Sequence, residues 1–181
     1  MTVAPVVPIS SRVDGGSRSP PVKNSLPSPK SYVVSTLAGG DNDSGSLASF
    51  CTLAGIALGP NGNLYVTDIG NHTIFEVDAE GAIRIYAGQG NRSCWSNPVI
   101  VKTETADCKR ATFDRPSGIA VDMAANVYVS EVHGHVIREI EPAPCRVSTL
   151  AGKRDEAGDS DGSGSAAKFN GPMGLAAMPL H

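Results

Sequence analysis

Apolar and polar positions alternate in short runs, and the runs are written twice. In Asn63-Leu64-Tyr65-Val66-Thr67-Asp68, Leu64 and Val66 face one way and Tyr65 and Thr67 the other; Asn126-Val127-Tyr128-Val129-Ser130-Glu131 repeats the alternation. A period of two belongs to a strand, whose successive side chains leave opposite faces. Gly55-Ile56-Ala57-Leu58 is answered by Gly118-Ile119-Ala120-Val121, and the turn residues Pro60-Asn61-Gly62, Gly70-Asn71 and Glu80-Gly81 punctuate the first copy. Each copy is expected to form a four-stranded antiparallel meander. The strands fall at 55–58, 63–68, 73–78 and 83–87, then at 118–122, 126–131, 135–141 and 146–151.

Repetition decides architecture, because each copy buries its apolar faces only against a neighbour. Val34-Ser35-Thr36-Leu37-Ala38-Gly39 copies residues 147–152, and Gly174-Leu175-Ala176-Ala177 copies the phrases at Gly55 and Gly118. Phe50, Phe113 and Phe169 each precede one of those glycines by five residues, the spacing expected of a plug between units. Gly55 and Gly118 are 63 residues apart and Gly118 and Gly174 are 56 apart, so one connection varies in length. Four-stranded sheets at this spacing, without a helical period, predict an all-β chain built as a partial β-propeller. One last-strand segment, two full units (about 55–88 and 118–152) and one first-strand segment make two and a half blades. Propellers close with about 4 to 8 blades. The expectation is a fragment of a longer propeller, or a ring completed by self-association.

The pattern V-S-T-L-A-G, an acidic glycine-rich stretch ending in A-x-F, then P-x-G-I-A-V-D, N-x-Y-V, an N-H pair and I-R-x-I resembles the NHL repeat over about 33–178. Asn71-His72, Ile137-Arg138-Glu139-Ile140, Pro116, Gly118, Asp122, Pro172 and Gly174 carry the likeness. It implies a propeller whose roles in the family span protein-binding scaffolds, RNA-binding modules and a few metal-dependent lyases and hydrolases. The second copy departs from the pattern with Ala125 in place of Gly62, His133-Gly134 in place of the N-H pair and Glu131 in place of Asp68, which predicts different turn geometry there.

Residues 32–181 hold the repeats. Residues 1–31 are rich in proline and serine and carry no aromatic residue and a single acid, Asp14. Such a stretch cannot bury enough apolar surface to offset its ordering entropy and reads as a disordered tail. Pro5 and Pro8 interrupt the only apolar start, so no signal peptide or transmembrane segment is visible. A net charge of -3 gives no general pull toward nucleic acid or anionic membrane.

A meander alternates direction, so the turns after the second strands and the links between blades share one rim. That rim collects His72, His133, His135 and the connection 89–111 with the sole tryptophan, Trp95, the residue type most typical of a binding anchor. Cys94 and Cys108 in that connection are expected either to bridge or to stand as two free thiols in a reducing compartment. The histidines match no compact zinc spacing, and Asp159-Ser160-Asp161-Gly162 lacks the far glutamate of a calcium loop, with Asn170 there instead. No metal, cofactor or catalytic set is expected, since Asp122 has Gly59 as its counterpart. The functional expectation is a non-enzymatic protein-interaction scaffold; the alternative is part of a metal-dependent propeller lyase or lactone hydrolase.

Overall fold

The computed structural model describes residue 37, residues 50–90 and residues 105–178. The expected tail 1–31, Cys94 and Trp95 lie outside these residues. Two antiparallel meanders account for nearly all the regular structure. The first holds β1 (Leu53–Leu58), β2 (Leu64–Asp68), β3 (Thr73–Val77) and β4 (Ile83–Ala87) in sequential order. The second holds β5 (Thr105–Asp107), β6 (Pro116–Val121), β7 (Val127–Glu131), β8 (Val136–Pro142) and β9 (Cys145–Gly152), ordered β5-β9-β8-β7-β6. The fold class is all-β, with one short 3-10 turn at Gly164–Ala166 among the described residues.

The second blade therefore has five strands where four were expected. β5 pairs antiparallel with the outer edge of β9, so the end of the 89–111 connection belongs to the sheet. This also corrects the cysteines. Asp107 pairs with Arg146, which sets Cys108 opposite Cys145 with their Cα atoms 5.5 Å apart, and these two form the disulfide. Cys108 is thus unavailable to Cys94; Cys51 is also disulfide-bonded.

The blades pack face to face through one continuous apolar cluster. Tyr65, Ile74 and Ala87 of the first meet Ile119, Val127, Val129, Ile140 and Val147 of the second, with Phe113 fully buried among them. Phe113 occupies the joint as its spacing predicted. Phe50, the equivalent residue one blade earlier, stands edge-on to Phe75 with ring centroids 5.2 Å apart.

Two of the repeat glycines are required by this packing. A β-carbon on Gly55 would lie 2.4 Å from the Ser117 carbonyl oxygen, and one on Gly118 would lie 1.8 Å from that of Met173. Irregular pairing between Leu53 and Ile56, and between Pro116 and Ile119, falls on the same stretches. Each innermost strand thus has its bare backbone against the next repeat unit. Residues 174–178 follow this path over the second blade but join no sheet.

The first hairpins of the two blades are alike, against the expectation from Ala125. Gly62 has φ +85° and Ala125 φ +67°, and their N–H groups donate to the equivalent carbonyls of Gly59 (3.0 Å) and Asp122 (3.1 Å). Ala125 is held in the left-handed region because the Asp122 carboxylate, absent from the first blade, accepts the N–H groups of Ala124 and Asn126 at 2.9 and 2.8 Å.

Candidate functional site

The polar residues of the repeat gather at the ends of β2 and β7, on the rim where the blades join. Thr67 and Ser130 are equivalent. Thr67 Oγ1 accepts the Gly55 N–H (2.8 Å) and lies 2.6 Å from the Ser117 carbonyl, to which it donates. Ser130 Oγ accepts the Gly118 N–H (2.8 Å) and donates to the Met173 carbonyl (2.9 Å). Each hydroxyl therefore clasps its own innermost strand and the start of the next unit at once.

The adjoining acids gather the incoming chain. Asp68 is buried and accepts backbone N–H groups from Cys51, Thr52, Gly70 and Asn71 at 2.6 to 3.0 Å, as well as the Asn71 side-chain amide. Glu131 accepts the Asp114 N–H at 2.8 Å, but its longer side chain also reaches two guanidiniums. Arg154 binds it bidentately, both contacts at 2.8 Å, and Arg138 donates at 2.9 Å. All three side chains are buried. Arg138 also lies 5.9 Å over the Phe113 ring. Phe75 takes the Arg138 position in the first blade, so Asp68 with a Phe pair has become Glu131 with an Arg–Phe pair. These side chains are far apart in sequence, and spacing gave no sign of Arg154.

His72 and His135 are also equivalent, both at positive φ (54° and 56°). The N-H pair thus corresponds to Gly134-His135, one residue beyond the match read from sequence. His72 Nδ1 lies 3.3 Å from the Arg115 N–H, which it accepts when bare, and 3.2 Å from the Phe113 carbonyl, to which it donates when protonated. His135 Nδ1 accepts the Gly171 N–H at 3.1 Å. Both rings tie a turn to the following link. His133 differs: its Nε2 faces Arg115 Nη1 at 3.1 Å on the exposed rim. The structure brings His72 and His133 together around Arg115 and sets His135 at the next joint.

On the opposite side of the blades, Asp122 accepts the side chains of Asn126 (2.9 Å) and Tyr128 (3.0 Å). Burial raises its pKa, but these bonds prevail and hold it below the usual carboxylate range. Tyr128 is pushed up to about 12 by burial and then by its bond to Asp122. Among the described residues, no three His, Cys, Asp or Glu side chains group as a metal shell, and no helix is long and apolar enough to cross a membrane.

The family model that matches the chain is that of the NHL repeat, over residues 50–76, which run from the plug Phe50 through β1, β2 and most of β3. Residues 50–76 are similar to an NHL repeat. The second blade repeats the Thr67 clasp at Ser130, and the described region has the all-β fold of a partial β-propeller. Two solved structures from Bacteroides thetaiotaomicron share the fold. One is a structural genomics protein of unknown function (TM-score 0.55, 24% identity), matched over 64% of this chain. The other is an auxiliary nutrient binding protein (TM-score 0.52, 23% identity), matched over 67%. The chain covers only 27% and 31% of their lengths. No curated protein matches it.

Proposed function

We propose that the chain is a non-enzymatic protein-interaction scaffold built from NHL repeats, which presents the rim around Arg115 and His133 to a protein partner. One observation carries this reading: the polar and ionisable side chains at equivalent repeat positions are engaged in joining backbone to backbone. Asp68, Glu131, Thr67, Ser130, His72 and His135 all hold links between repeat units. Asp122, the residue an enzyme reading would favour, has its carboxylate bound by Ala124, Asn126 and Tyr128. Such residues stiffen a frame, and a stiff frame with variable rim loops suits recognition.

A photo-crosslinking residue placed at His133 is compared in cells with one at Glu80, in a turn on the other side of the blades. A discrete protein adduct from position 133 alone is expected. Equal labelling from both positions, or metal-dependent turnover of a lactone by the purified chain, would overturn the reading.

A further inference from the structure

The two outer faces of the blade pair are the two halves of an interface that the chain already makes once. Inside the molecule, Tyr65, Ile74 and Tyr86 of the first blade pack in one cluster with Ile119, Val127 and Val129 of the second. The far face of the second blade bears a groove of about 480 Å³ lined by Tyr128, Ile137 and Leu150, the repeat equivalents of the first three. The far face of the first blade bears one of about 350 Å³ lined by Ile56, Leu64 and Val66, the equivalents of the second three. The ladders fix these equivalences, since Ile74 pairs with Ala87 as Ile137 pairs with Ala151.

We infer that a second copy of this chain docks head to tail, with the first-blade face of one copy on the second-blade face of the other. Both faces are open apolar surface: Ile56 is 64% exposed, Leu58 66% and Leu150 45%. Among the described residues, no further sheet lies over either groove. Leu37 borders one groove, and Leu175–Met178 border the other, ending in a Met178 that is 84% exposed. A complete blade seated on either groove would bury the exposed Ile56, Leu58 and Leu150 side chains, and burial of such apolar area drives association.

The polar joint continues across the same contact. Ser130 holds the Met173 carbonyl as Thr67 holds that of Ser117. Ala54 precedes Gly55 as Ser117 precedes Gly118, so an incoming copy that displaces Met173 offers the Ala54 carbonyl to the Ser130 hydroxyl in its place. Each copy uses two different faces, so the contact is heterologous and either closes into a ring or propagates. This inference goes beyond the rim reading and does not depend on it.

Light scattering coupled to size exclusion on the full chain, over a wide concentration range, tests it with Ile56→Asp and Leu150→Glu, both at exposed positions. The wild type is expected to exceed monomer mass in proportion to concentration. Each variant alone is expected to stay monomeric, with an unchanged circular dichroism spectrum, while an equimolar mixture doubles in mass through the one intact pair of faces. A monomeric wild type would overturn the proposal and leave the faces to another partner. So would variants that associate like the wild type, or a mixture that stays monomeric.

Discussion

The Thr67 hydroxyl lies 2.6 Å from the Ser117 carbonyl, joining two blades across 50 residues of chain. It also accepts the Gly55 N–H at 2.8 Å, so one atom serves strand pairing and blade packing together. Ser130 repeats both bonds one blade later.

Thr67→Val keeps the shape and removes the hydroxyl, stranding the Ser117 carbonyl and the Gly55 N–H in the joint. Leaving a buried polar group unpaired costs about 1 to 3 kcal/mol. Urea unfolding is expected to show a loss in that range, with Thr67→Ser recovering most of it.

Glu131 balances two buried guanidiniums, Arg138 and Arg154. Glu131→Gln leaves both uncompensated, and breaking a buried ion pair from one side costs about 3 to 5 kcal/mol. The variant is expected to melt far below the wild type. Replacing Glu156, which pairs with Lys153 and Lys168 on the surface, is expected to change little.

Ala125 sits at φ +67°, where a β-carbon crowds the following carbonyl. Left-handed backbone costs a non-glycine residue about 1 to 2 kcal/mol, so Ala125→Gly is expected to stabilise the protein, less the entropy that glycine adds to the unfolded chain. A raised melting temperature checks it. A fall would mean that the Asp122 turn already relieves the strain.

Asp122 and Glu76 both titrate below the ordinary carboxylate range. For each, burial works upward and is outweighed by hydrogen bonds, from Asn126 and Tyr128 in one case and from Arg84 and Asn63 in the other. The folded state therefore binds fewer protons than the unfolded state as acid is added. The stabilisation is complete above the unfolded pKa and lost as pH falls through the folded one. Melting of Asp122→Asn from neutral to acid pH is expected to fall less steeply than that of the wild type.

The sequence by itself determined the repeat, the alternation of faces, the meander and the glycines at 55 and 118, because these depend on spacing along the chain and on a unit that must pack against its own copy. The plug at Phe113 was legible for the same reason. Only the tertiary structure decided β5, the Cys108–Cys145 pairing and the Glu131–Arg138–Arg154 cluster. A three-residue strand such as Thr105–Asp107 is too short to show a period, and its pairing depends on where the chain returns to the edge of β9. Arg154 reaches Glu131 only because the link leaving β9 folds back over the 131–134 turn, where the Asp155 N–H donates to the Gly134 carbonyl at 3.0 Å. The roles of the histidines divided on the same ground. Two histidines only two residues apart, His133 and His135, stand one on the open rim and one at a joint, and only the packed turn distinguishes them.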